Sequence, residues 1–254
     1  MPSLLDPPAL LRRSQRRRIV PPDPFRILDA PDLRDDYYSE PLSWCRNGTL
    51  AVALGIDIFL WSKDGGVTHL PNDGAEDITS VAFNQTGDIL AIAREDGSVL
   101  LYSPKETIPR VHIAPISVGA IGALAWRPNT LPSMGMILHE SLIIGTYDGQ
   151  VLLCEIAWNL DVFNAKVERR GLWNNIHDDQ ICGIAWSNDG LSFATGANDN
   201  KVCTYEIPMG VIGVNPKWEK RFHWVHEAAV KALAFKSGKG GVLATGPIPF
   251  CSRV

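Results

Sequence analysis

The sequence contains no run of about 18 apolar residues, so a membrane-spanning helix is not expected. Its five cysteines, Cys45, Cys154, Cys182, Cys203 and Cys251, lie far apart and form no C-x-x-C pair. With no signal peptide in view they read as reduced thiols of an intracellular protein. No G-x-x-x-x-G-K-[ST] phosphate loop occurs; the nearest stretch, "SGKGG" (237–241), is turn-like and lacks the following Ser or Thr. H-E-x-x-H, G-x-S-x-G and clustered Cys/His sets are also missing. These absences argue against a catalytic centre, a bound metal and a cofactor.

What is present suits a globular chain with a sizeable core: 254 residues, 45% hydrophobic, formal charge -4. The 22 glycines, 18 prolines and eight tryptophans suggest a turn-rich all-β chain. Charge is uneven. Residues 1–26 hold six arginines against Asp6 and Asp23, so an acidic body follows a short basic, proline-rich arm (1–25). The arm reads either as a solvated tail or as a segment for nuclear import or docking on an acidic partner. The motif "RRSQRRR" (12–18) gives nucleic acid little claim, because no aromatic platform interleaves with it and the body is acidic.

Aligning the chain against itself decides the fold. An apolar pair, an aromatic, a short turn, an apolar run ending in small residues and a second apolar run recur. The copies are "LSWCRNGTLAVALGIDIFLW" (42–61), "ITSVAFNQTGDILAIAREDGSVLLY" (78–102), "IGALAWRPN" (121–129) resuming at "SLIIGTYDGQVLLCEI" (141–156), and "ICGIAWSNDGLSFATGANDNKVCTYEI" (181–207). A fifth begins at "VKALAFKSGKGGVLATG" (230–246). The aromatic anchors Trp44, Phe83, Trp126, Trp186 and Phe235 are spaced by 39, 43, 60 and 49 residues, near the length of a four-strand blade. Insertions at 130–140 and 158–175 are expected to account for the longer spacings. Asp96, Asp148 and Asp199 fall in turns where an aspartate can pin the backbone.

The expectation is an all-β WD-repeat β-propeller with four complete blades and a partial fifth over 42–246, incomplete relative to a seven-bladed ring. Pro247 and Pro249, in the tail 247–254, are expected to break strand pairing. An open arc exposes sheet edges, so a truncated or mis-spliced form of a longer propeller is expected. His177, beside Asp178 and Asp179, reads as a scaffold histidine rather than a catalytic dyad, with His226 in the equivalent place.

The stretch "RILDAPDLRDDYYSEPLSWCRNGTLAVALGIDIFLW" (26–61) closely resembles the lead-in (26–41) and first blade of the Fizzy family. So do "ICGIAW" (181–186), "ATGANDNKV" (194–202) and "AAVKALAF" (228–235). The family comprises activators and substrate receptors of the anaphase-promoting complex, APC/C. "RRIVPPDPF" and the insertions resemble a fungal, meiosis-specific branch. The resemblance implies a non-catalytic adaptor of nucleus and cytoplasm whose partners are APC/C subunits and the short disordered degrons of substrate proteins, with no cofactor and no membrane. Carried over by position, Asp36 and Tyr37 match the acid and tyrosine of the KEN-box pocket, Asn198 and Asn200 its two asparagines, and Thr245 its threonine. Phe59 stands where some members have tyrosine, and Asp29 matches the acid that receives the destruction-box arginine.

A carboxylate can pair with the basic residue of a degron, and asparagines suit a Glu-Asn pair because they donate and accept. Each assignment has a plain structural alternative: Asp36 as a turn cap, Asn198 or Asn200 in left-handed turns, Tyr37 and Tyr38 as packing. Neither the family's D-R-[YF]-I-P motif nor its Ile-Arg tail is found, nor are later blades, so weak degron binding and poor ligase activation are expected. The competing reading is a generic WD-repeat scaffold without degron binding.

Overall fold

The computed structural model describes residues 23–24, 26–70, 76–106, 108–115, 119–128, 137–159, 164–174, 176–206, 219–236 and 242–247. The basic stretch 12–18, "SGKGG" (237–241), Pro249 and Cys251 fall outside them. The chain divides into two compact units, Met1–Ala30 and Pro31–Val254. In the first, residues 26–30 form no regular element, and Ile27 and Asp29 are exposed.

The second unit is built from strands. β1 (Leu42–Trp44), β2 (Leu50–Leu54), β3 (Asp57–Ser62) and β4 (Gly66–Leu70) form an antiparallel sheet in chain order. β5 (Ile78–Phe83), β6 (Leu90–Arg94), β7 (Val99–Tyr102) and β8 (Val111–Ile113) form the second. The third comprises β9 (Ile121–Trp126), β10 (Ile137–Thr146), β11 (Val151–Asn159) and β12 (Asn164–Trp173). The fourth comprises β13 (Ile181–Trp186), β14 (Ser192–Ala197), β15 (Lys201–Glu206) and β16 (Glu219–Val225). β17 (Val230–Phe235) pairs with β18 (Leu243–Pro247). This is the architecture of a WD β-propeller.

Local chemistry explains the turns between second and third strands. Gly55, Gly97 and Gly149 have φ of 60°, 79° and 76°, and Asn200 takes the same place with φ 65°. That left-handed conformation is open to glycine and, among side-chain-bearing residues, most readily to asparagine. Asp96 Oδ1 accepts the Ser98 amide at 2.8 Å and Asp199 Oδ1 that of Lys201 at 3.0 Å, closing the turns. Asp148 instead accepts the side chains of Thr146 and Gln150, at 2.5 and 2.6 Å.

The core lies between sheets. One cluster joins the first and second through Ala51, Ile58, Ile78, Leu90 and Tyr102. Another joins the second and third through Leu101, Ile121, Leu142 and Cys154, and another the third and fourth through Ile143, Leu153, Ile181 and Phe193. First strands touch their successors: β5 meets β9, β9 meets β13, and β13 meets β17. Trp126 Nε1 donates to Ala82 O at 2.9 Å, and Trp186 Nε1 to Ala125 O at 3.1 Å. The repeat's anchor aromatic thus tethers its sheet to the preceding one. Phe83 and Phe235, at matching positions, have no N–H for that bond.

The structure corrects the expected insertion at 158–175. Residues 158–159 finish β11 and Asn164–Trp173 form β12, the fourth strand of the third sheet. The 60-residue spacing arises largely from long strands, since β10, β11 and β12 have 10, 9 and 10 residues. Ile137–Glu140, assigned above to the other insertion, belong to β10 and pair with Ile156–Asn159. Pro247 does not interrupt pairing: it is the last residue of β18, opposite Val230.

Replacing Trp126 or Trp186 by Phe should lower stability by about 1 kcal/mol through loss of the intersheet bond. Phe83→Leu, with no such bond to lose, separates packing from hydrogen bonding. Urea denaturation of the three variants measures the difference.

Candidate functional site

The lead-in segment folds around Asp36. Its Oδ1 accepts the backbone amides of Tyr38 (2.8 Å) and Ser39 (2.6 Å), and its Oδ2 accepts the Ser39 hydroxyl at 2.8 Å. Arg34 Nε adds an ion pair to Oδ2 at 2.5 Å. Burial would raise the Asp36 carboxyl, but the Ser39 and Tyr38 donors and the Arg34 charge outweigh it and hold it below the usual carboxylate range. The turn-cap alternative is therefore realised. Arg34 also ion-pairs with Glu95, in the turn between β6 and β7.

The same segment is fastened to two first strands. Lys231 of β17 donates through Nζ to Tyr37 O (2.9 Å) and Ser39 O (2.5 Å), and its ammonium lies 5.6 Å from the centre of the Tyr37 ring. Glu40 forms a parallel bridge with Ser80 of β5; its amide donates to Thr79 O at 2.8 Å and its carbonyl accepts the Val81 amide at 2.9 Å. Burial pushes the Glu40 carboxyl from 4.5 up to about 7, with the Lys231 charge opposing.

Two positions from the "NDN" turn join this segment's surroundings differently. Asn198 lies beside it: the Tyr38 hydroxyl donates to Asn198 Oδ1 at 3.3 Å, while Asn198 Nδ2 donates to Asp179 at 2.8 Å. Asn200 serves the turn through its φ of 65°, and its carbonyl accepts the His226 amide at 2.8 Å. His177 is buried among Asp199 (3.0 Å from Nδ1) and Thr195 (2.8 Å from Nε2), as expected of a scaffold histidine. Burial would raise Asp199 too, but the Asp178 amide, the His177 ring and the Lys201 amide outweigh it. His226 Nε2 lies 2.9 Å from Thr245 Oγ1, reproducing the His177–Thr195 pair. The Thr245 hydroxyl thus serves the sheet in the way the Thr195 hydroxyl does.

The remaining positions are described by their own surroundings. Phe59 is a half-buried residue of β3, opposite Val52 and His69, with its ring centre 5.1 Å from that of His69. Asp29 is exposed within the first unit. Sequence reasoning brought Asp36, Tyr37 and Asn198 forward and named Tyr38 only as packing, but missed Arg34, Glu40 and Lys231. The available signal was charge in odd places: a lysine in the apolar "VKALAF" and an arginine two residues before the acid.

Around Tyr38 and Asn198 lie the acids Asp36 and Asp179 along with amide and phenol groups, and Asp178, next to Asp179, pairs with Lys201. Such a surface suits an extended ligand with a cationic side chain. The described cysteines Cys45, Cys154, Cys182 and Cys203 are buried and none is in a disulfide among the described residues, and burial pushes Cys154 and Cys182 up to about 12, so neither of these two thiols is a ready nucleophile.

Asn200→Gly should preserve the turn, whereas Asn200→Ala should cost about 1–2 kcal/mol because alanine tolerates left-handed backbone poorly; thermal melts distinguish them. Glu40 gives a pH signature. Because folding raises this carboxyl, the native state keeps a proton that the unfolded chain has released, so its contribution is most favourable below 4.5 and declines as pH rises toward 7. Glu40→Gln should therefore melt above the parent at about pH 8 and lose that advantage near pH 4.5.

The WD domain, G-beta repeat family matches residues 66–103 and 174–206. An uncharacterized WD repeat-containing protein of Schizosaccharomyces pombe is 39% identical over 223 residues, 88% of this chain and 38% of that protein. Meiotic fizzy-related protein 2 of the same yeast is 34% identical over 224 residues, 88% of this chain and 40% of its own length. APC/C activator protein CDH1 of Saccharomyces cerevisiae is 32% identical over 240 residues, covering 93% and 37%. A chain in the crystal structure of a mitotic checkpoint complex superposes with TM-score 0.69 at 27% identity, covering 97% of this chain and 68% of that one. The chain spans between about a third and a half of the length of the curated relatives it matches. Over most of its length the chain is thus a homologue of fizzy-related and APC/C activator WD-repeat proteins.

Proposed function

We propose that this chain is the substrate-receiving part of an APC/C adaptor, a regulator that captures KEN-box and destruction-box peptides and catalyses nothing itself. Its relatives include proteins named as APC/C activators, which supports the adaptor role. The observation that carries the peptide reading is the contact between Tyr38 and Asn198, 160 residues apart in sequence and 3.3 Å apart in space. It puts the acidic lead-in turn beside the amide-bearing turn of the fourth sheet, so one short peptide can meet both.

In this reading Asp36 receives the KEN lysine beside Tyr37, while Asn198 and the Asn200 side chain bond the Glu-Asn pair. Phe59 adds an apolar wall without a hydroxyl, and Thr245 supports the neighbouring turn through His226. Asp29 receives the destruction-box arginine. Affinity is modest, because ordering a disordered peptide opposes binding.

Fluorescence anisotropy with a KEN peptide and its triple-alanine counterpart tests the proposal. The KEN peptide should bind at least tenfold more tightly, and Asn198→Ala should remove most of the difference. Equal binding of both peptides would instead favour a general WD-repeat scaffold. Asp29→Asn should weaken a destruction-box peptide while leaving the KEN peptide unchanged.

A further inference from the structure

We propose that Arg34 sets the affinity of this site by occupying, in the free protein, the place that a ligand's basic side chain takes on Asp36. The inference rests on the degron reading and concerns how the acid is made available. Four donors already converge on the Asp36 carboxylate: the Tyr38 and Ser39 amides, the Ser39 hydroxyl and Arg34 Nε, at 2.5 to 2.8 Å. A carboxylate has about four lone-pair positions, so the acceptor is saturated and an incoming cation needs one donor to leave.

The four donors are unequal in this respect. Three belong to residues 38 and 39, whose carbonyls or strand neighbours hold them: Lys231 Nζ binds Tyr37 O and Ser39 O, and Glu40 is bridged to Ser80. Moving them means unfastening the lead-in from β5 and β17. Arg34 is a side chain on the outer part of the segment, and its partly exposed guanidinium has a second acid, Glu95, on which to rest. Its Nη1 is buried without a hydrogen-bond partner among the described residues. Arg34 is therefore the donor that leaves, and it keeps its existing ion pair with Glu95 when it does.

The exchange has a specificity consequence. A neutral side chain offered to Asp36 would leave the carboxylate without the charge that Arg34 supplies, whereas a lysine or arginine replaces it. Arg34 thus raises the threshold for a ligand that must reach Asp36, and a ligand that offers Asp36 no cation does not compete with it. It is a positioning residue, since the ligand need not touch it.

The two roles of Asp36 make Asp36→Ala uninformative, because loss of the turn and loss of the lysine acceptor both weaken binding. Arg34→Gln separates them by sign. It leaves the three local donors in place and should tighten the KEN peptide about fivefold, the upper range for a partly exposed ion pair, with the triple-alanine peptide unchanged. Arg46→Gln, an equal charge change at an exposed position of the β1–β2 loop, should alter neither. Arg34→Lys, which keeps a cation, should stay near the parent. If the parent protein fails to prefer the KEN peptide, the degron reading falls. If it does prefer it but Arg34→Gln binds equally or more weakly with an unchanged melting temperature, the degron reading stands and the competition by Arg34 is wrong. Equal tightening of both peptides, or tightening by Arg46→Gln, would also overturn it by assigning the effect to overall charge.

Discussion

Where β13 passes β9, the Ile181 carbonyl oxygen stands 2.0 Å from the point a side-chain carbon on Gly122 would occupy. The contact repeats one sheet further on: Lys231 O would lie 2.3 Å from such a carbon on Gly183, and Val230 O 2.4 Å from one on Gly196. Backbone obstructs each position, so no rotamer change could relieve the clash. This convergence of first strands is what the rest of the molecule depends on. It brings Trp126 and Trp186 within reach of carbonyls one sheet away, compresses the apolar clusters between sheets, and sets β5 and β17 where the lead-in segment can touch both.

That last effect links the fold to the surface where peptides are proposed to bind. Lys231 occupies a position in an otherwise apolar strand, and its ammonium gathers two lead-in carbonyls and a tyrosine face. Glu40 continues the tie on β5 by backbone bonding. The segment therefore behaves as part of the scaffold, although it precedes the first sheet and contains one backbone bridge rather than a strand. Its acidic turn is held in register with the fourth sheet, where Tyr38 meets Asn198. A change in Lys231 would act on Asp36 at second hand, through Tyr37 and Ser39.

Much of this fold was legible because propeller blades repeat their chemistry. The "SVAF", "ALAW", "GIAW" and "ALAF" stretches became β5, β9, β13 and β17, and the aspartate-led turns fell where the spacing placed them. The third sheet was misread at 158–175 because a long β-strand with alternating polar residues, "NAKVERRGLW", has no feature that separates it from an inserted loop when only the anchor spacing is considered. The site was legible as positions but not as states. Asp36 could be found by resemblance; that its acceptors are filled depends on where Arg34 and Ser39 fold back. Asn200 was marked by the same motif as Asn198, yet one carries the left-handed turn and the other the contact with Tyr38, a division decided by backbone conformation. Thr245 showed its structural role only through the distance to His226, a residue 19 positions earlier.

The third sheet's long strands have a consequence for how the molecule comes apart. β10 and β11 stay paired over nine consecutive positions, from Ile137 opposite Asn159 to Gly145 opposite Val151, and β11 continues into an equally long ladder with β12. These bonds close between neighbours in sequence, so little chain entropy opposes their formation, and both flanking sheets cover their apolar residues. The amides of Ile143, Leu152 and Leu153 should be the last to trade hydrogen with solvent, while the two-stranded β17–β18 pair opens early. The surface that holds the lead-in through Lys231 is thus anchored on the sheet with the fewest strands among the described residues, and the lead-in turn should be released before the third sheet opens.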